Sequence, residues 1–201
     1  MASFGSVPIA STPVLDRLRI ALPLSPELAR RAAREPTQPV ILPYTTYFQR
    51  RSNWCWAAVA VSVARFYDPR STVTQCEIAN QVLGRDDCCT GGTGPDQCNV
   101  QTTLSAGLGA VGRDFGRQPA DADLARRLLA RQQPVGIFIR WSPTSGHFAA
   151  LTGFVASPAG TEFVVADPKY GNGLVLEAEL RDGRYRGSGR WTDLYRTAEA
   201  R

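Results

Sequence analysis

The sequence predicts an α+β fold, a helical layer packed against an antiparallel β layer with a cleft between them. Two observations carry this. Helical periodicity with recognisable caps dominates up to about residue 133, and after Pro134 the chain turns to short apolar runs separated by turn signals. The length, 201 residues, is that of one domain, enough to bury roughly 70% of the surface of the unfolded chain.

Residues 1–38 are rich in proline, serine and alanine and hold one short helical segment, "SPELARRAARE". Ser25 is its N-cap, Pro26 its first helical position and Glu27 lies in its first turn. We expect residues 1–38 to be an N-terminal arm or pro-segment and residues 39–201 to form the domain proper. "VILPYTTYF" is a short β-like run, followed by Gln49 and the polar turn "RRSN". A helix is predicted from about Asn53 to Phe66, stopped by Asp68–Pro69. In "STVTQCEIANQVLG", Thr74 and Glu77 form a capping box and Gly84 ends a second helix.

The segment "RDDCCTGGTGPDQCN" reads as an irregular loop that needs staples. Two helices follow in "VQTTLSAGLGAVG" and "DADLARRLLARQQ", the second with Leu124, Leu128 and Leu129 on one face. Strands are predicted in "VGIFIRW", "HFAALTGFVA", "EFVVADP" and "GLVLEAEL", with "GRWTDLYRT" as a last edge strand.

The net charge of +5 rests on arginines scattered along the chain, and Lys169 is the only lysine. No basic stripe interleaved with aromatics and no zinc-finger or helix-turn-helix pattern accompanies the charge, which argues against a nucleic-acid partner. No apolar run approaches the ~18 residues that span a bilayer, so no membrane partner is expected. The first 40 residues lack a basic n-region and an unbroken apolar stretch, so no classical signal peptide is read there.

Of the five cysteines, Cys76, Cys88, Cys89 and Cys98 crowd together and Cys55 stands apart. That arithmetic predicts two disulfides and one free thiol, and with them an oxidising destination. A four-cysteine zinc site is the rival, but the cluster contains no C-x-x-C pair, and adjacent Cys88 and Cys89 would both have to reach one tetrahedral ion.

Cys55 falls in the first turn of its helix, where unpaired N–H groups and the helix dipole stabilise a thiolate. His147 is the only histidine, so any cysteine–histidine chemistry must use it. It opens a strand after Gly146, read as a flexible lead-in. Asp167 ends the next strand, and antiparallel pairing about the intervening turn would bring its carboxylate to the imidazole.

The block Q-x5-C-W-A, the order Cys55, His147, Asp167, and the "GH" and "DP" dipeptides resemble the papain-like cysteine proteases over about residues 40–196. The nearest form is the bacterial papain-like effector proteases. The resemblance implies a papain-like fold and a cysteine endopeptidase that needs no cofactor and acts on a protein or peptide substrate as a monomer. It implies Cys55 as nucleophile, His147 as general base and acid, Asp167 as orienting group and Gln49 as side-chain donor to the oxyanion. It also implies delivery by a specialised bacterial export system.

One departure stands out: "DPKYGNG" replaces the "Asn-Ser-Trp" motif of the main papain line. The family habit of bracing the helical sub-domain implies that Cys76 and Cys98 each bond to one of Cys88 and Cys89, with the choice between the two pairings open. The same triad would serve an acyltransferase, transglutaminase or deamidase, which amine-dependent partitioning of an acyl-enzyme would reveal. A catalytically inert binding module on this scaffold is the third reading.

Overall fold

A computed structural model of the protein describes residues 38–91 and 97–198. The expected arm and its helix therefore lie outside the described residues, save for Gln38. Along the chain run β1 (Val40–Ile41), α1 (Cys55–Tyr67), α2 (Gln75–Leu83), α3 (Leu104–Ala110), β2 (Arg117–Pro119) and α4 (Ala122–Ala130). Then come β3 (Val135–Ser142), β4 (Ser145–Ser157), β5 (Gly160–Asp167), β6 (Gly171–Leu176), α5 (Glu177–Asp182) and β7 (Arg190–Arg196).

All strand pairs are antiparallel, in the order β2-β7-β3-β4-β5-β6, with β1 added along β4. The pleat divides the apolar residues between two cores. Phe148, Ala150, Ala166 and Tyr195 join the buried face of α1, together with Leu104 and Leu108 of α3. Ala149, Leu151, Val165, Ile137 and Leu194 pack instead with Leu128 and Leu129 of α4 and Leu180 of α5. The first ten residues of α1, Cys55 to Ala64, are all buried, so this helix is the centre of the helical layer. No described helix is long and apolar enough to cross a membrane.

The helix signals read from sequence have physical counterparts. Thr74 accepts from the Glu77 N–H while Glu77 accepts from the Thr74 N–H, and Gly84 closes α2 in the left-handed region at φ 63°. Two expectations need correction. The run "GLVLEAEL" is not one strand: β6 ends at Leu176 and Glu177–Asp182 is helical. Its acidic first turn and a left-handed Gly183 suit a helix, Leu180 is buried, and Glu177 accepts from Arg126 at 2.6 Å. The alternation that mimicked a strand is incidental. "GRWTDLYRT" does form a strand, but β7 is interior, covered by β2 on its outer side. The three residues of β2 include Pro119 and carry no pattern that a sequence reading could register.

The cysteine loop is stapled twice. Cys76 bonds to Cys89 and Cys88 to Cys98, one of the two pairings left open, and Cys55 is the free cysteine. The second bridge closes a separation of 10 residues, for which chain-entropy arguments give about 3 kcal/mol. The double variant Cys88→Ser/Cys98→Ser should therefore unfold at clearly lower urea than the wild type. An unchanged midpoint would show that the bridge constrains nothing. Thiol titration of the denatured, unreduced protein should find one free cysteine; five would contradict the pairing.

Candidate active site

Cys55 is the first residue of α1, and its surroundings are held by the stapled loop. The Trp54 indole N–H donates to the Cys98 carbonyl at 2.7 Å and that of Trp56 to the Val100 carbonyl at 3.1 Å. The Asn53 N–H donates to Asn99 Oδ1 at 3.0 Å, Asn53 Nδ2 to the Asn99 carbonyl at 2.8 Å, and Asn99 Nδ2 to Ser52 Oγ at 2.9 Å. The paired tryptophans thus pin the helix head from both sides of the thiol. Trp54, at the N-cap position, offers no side-chain cap. As the first helical residue, Cys55 has no carbonyl one turn back to receive its own N–H.

His147 enters from β4. The register Ile139↔His147 and Arg140↔Gly146 sets it at the start of the paired region. Gly146 is not the flexible lead-in read from sequence: a Cβ there would lie 2.0 Å from Cζ of Phe138. Its small size admits Phe138 and thereby fixes where the strand carrying His147 begins. The pairing Ala150↔Ala166 leaves His147 and Asp167 diagonal to each other at one end of the sheet. His147 Nε2 meets Asp167 Oδ1 at 2.9 Å, and Cys55 adjoins the same ring across the cavity that both line. With Nε2 engaged by Asp167, Nδ1 is the atom left for Cys55.

Asp167 has no exposed surface. Its Oδ1 also accepts from the N–H groups of Lys169 at 2.7 Å and Tyr170 at 3.0 Å, and its Oδ2 from the Tyr185 hydroxyl at 2.6 Å. Burial pushes the carboxyl upward, but hydrogen bonds from His147, Tyr185 and the Lys169 N–H, with the charge of His147, bring it below the usual carboxylate range. For His147 burial opposes protonation, and the hydrogen bond to Asp167 together with the interactions of the nearby Cys55 and Asp167 groups overcomes it, lifting the imidazole to about 9. Burial and the Asp167 carboxylate raise Tyr185, which stays a neutral donor.

His147, raised from 6.5, stabilises the fold fully below that value and ceases to do so as pH rises through about 9. Asp167, lowered from 3.8, stabilises above that value and loses its effect as pH falls through its depressed one.

Cys55 and His147 line one cavity of about 420 Å³. Gln49 is placed differently. Its backbone N–H donates to the Pro168 carbonyl at 2.8 Å, and its Nε2 donates to the carbonyls of Arg51 at 2.9 Å and Ser52 at 2.7 Å. Its side chain does not line the cavity. The segment carrying it is held by buried Gln75, whose Nε2 donates to the Phe48 carbonyl and whose Oε1 accepts from the Arg50 N–H. Sequence reasoning missed Gln75, Asn99 and Tyr185. For Tyr185 the one available signal was a tyrosine inside the glycine-rich turn "DGRYRGSG" directly before a strand.

A family model described as papain-like cysteine protease AvrRpt2 matches residues 37–175. No curated protein matches the chain. Among solved structures, one from a study of antibody cross-reactivity between the mite allergens Blo t 1 and Der p 1 superposes with a TM-score of 0.50 at 14% identity. The match covers 94% of this chain and 75% of that one. The likeness is one of fold: helices with an antiparallel sheet in the papain-like arrangement. With more than half of its length matched, the chain belongs to the family of the papain-like cysteine protease AvrRpt2.

Proposed function

We propose that Cys55, His147 and Asp167 are the catalytic triad of this cysteine protease. The observation that carries the reading is one connected chain of contacts, Cys55 to His147 to fully buried Asp167. In the resting pair the proton sits on His147 and the negative charge on Cys55. The thiolate attacks the peptide carbonyl carbon, forming a C–S bond and moving the carbonyl pair onto oxygen. As the C–N bond breaks, His147 gives its proton to the departing amine. His147 then takes a proton from water, the hydroxide attacks the thioester, and the C–S bond breaks to return the thiolate.

Asp167 keeps its charge throughout, holding the ring and stabilising the imidazolium. The Cys55 N–H is one oxyanion donor. Gln49 supplies the second by exchanging one of its neutral carbonyl acceptors, Arg51 or Ser52, for the developing oxyanion. The two disulfides favour a chain that matures in an oxidising compartment, in keeping with export from the cell that makes it.

The purified chain should cleave a denatured protein with no added amine, and Cys55→Ala should not. Gln49→Ala should lower turnover by ~10²–10³; unchanged turnover would remove Gln49 from the oxyanion site. The single histidine permits an unambiguous titration by NMR. Its ring should titrate near 9 in the wild type and at lower pH in Cys55→Ala and in Asp167→Asn. A wild-type midpoint at or below 6.5 would contradict the charged pair.

A further inference from the structure

The cavity around Cys55 has a chemical bias that the triad does not require. Among the described residues, those with charge that line it apart from His147 are Lys169 and Arg186, and no carboxylate does. Both cations stand 5.1 Å from the centroid of the Tyr170 ring, which is half-exposed at the rim. Neither has a carboxylate ion-pair partner among the described residues. The aromatic ring therefore holds two positive charges beside the nucleophile without neutralising them.

Two further features bear on this pair. Arg186 has φ 50°, inside the left-handed region where glycine or asparagine fits best, and Gly187 follows at φ 98°. A side chain kept at a backbone position unsuited to it points to a use for that side chain. The same short turn, closed by the Tyr185↔Gly189 bridge, carries Tyr185 onto Asp167, so Arg186 is placed by the residue that orients the triad. Lys169, the only lysine in the chain, has its backbone anchored at the same carboxylate, because its own N–H donates to Asp167 Oδ1.

The positive character continues beyond the cavity. A second cavity of about 530 Å³ shares Trp141 with the first and is lined by Arg140 and Arg190. Its one acid, Asp182, is paired with Arg181 and Arg184. The side of the scissile bond follows from the chemistry. His147 protonates the departing amine, and the Tyr170 ring lies edge-on to the imidazole at 6.1 Å. The peptide that leaves with that amine thus passes the Tyr170 face.

We propose that Lys169, Tyr170 and Arg186 form a subsite for a carboxylate on the leaving-group side of the scissile bond, selecting peptides with Asp or Glu in the first few residues after it. This rests on the triad mechanism above. The carboxylate has two possible sources, an acidic side chain or the C-terminus of a short peptide, and the test separates them.

Cleavage sites would be mapped by mass spectrometry in a denatured proteome treated with wild type or with Lys169→Gln/Arg186→Gln. Asp and Glu should be enriched over the first three residues after the wild-type sites and fall to background in the double variant. In matched peptides, Glu→Gln at the enriched position should lower wild-type kcat/KM about fivefold, as two exposed ion pairs would, and the ratio should approach one in the double variant. A preference lost on C-terminal amidation would assign the subsite to the terminal carboxylate. No enrichment in the wild type, or the same enrichment in the double variant, would overturn the subsite.

The same Glu and Gln peptides titrated into Cys55→Ala separate the two claims. Tighter binding of the Glu peptide without any cleavage by the wild type would overturn the mechanism and leave the subsite standing. Equal binding would overturn the subsite.

Discussion

A carboxylate with no exposed surface costs several kcal/mol to desolvate unless donors surround it, and Asp167 is such a group. Four donors meet it: the His147 ring, the N–H groups of Lys169 and Tyr170, and the Tyr185 hydroxyl. They come from three places in the chain, namely the start of β4, the turn after β5 and the loop before β7. Satisfying one charge therefore fixes the relative position of these segments. Asp167 needs the sheet to bring its donors together, and the imidazole needs Asp167 to remain charged while buried. The Trp141 ring stacks on Tyr185 at 6.0 Å, and Gly189 gives it room, since a Cβ there would lie 2.3 Å from the indole. Packing in this loop thus bears directly on the donor to Oδ2.

Cys55 is located by a second, separate set of constraints. Tryptophans are bulky, and burying two of them around a cysteine is useful here because each also has an N–H that must find an acceptor. The acceptors are carbonyls of the segment from Cys98 to Val100, which is tethered at Cys98 to Cys88. Arg51 adds to the brace, donating to the carbonyls of Cys88 and Gly91 while lying over the Trp54 ring. A disulfide distant from Cys55 in sequence is one step from the helix head in space.

Local signals were legible in the sequence wherever the physics is local. The capping box at Thr74, the stop at Gly84 and the register of two strands joined by a short turn are each encoded within a few residues, and they lead to α2 and to the meeting of His147 with Asp167. The head of α1 was legible for the same reason. What could not be read depends on partners distant in the chain. Tyr185 is 18 residues from Asp167, the Asn99 bonds to Asn53 cross 46, and β2 is defined only by pairing with β7. Glu177–Asp182 was misread because alternation over a few residues is compatible with either period, and burial of Leu180 against the sheet decided it. Gln49 was singled out through the family resemblance of its Q-x5-C-W-A block, but the carbonyls its amide contacts depend on how residues 50–52 turn.

The central claim is that Cys55 and His147 share charge before any substrate arrives. Cys55 is the free cysteine, so a haloacetamide reports on it alone, and the rate at pH 6 is the most direct reading. That pH is well below the free-thiol value of about 8.5, where an ordinary cysteine labels slowly. The account predicts rapid labelling in the wild type and a collapse in His147→Ala. Equal, slow labelling of both proteins at pH 6 would contradict it and make Cys55 a structural thiol at the head of a helix.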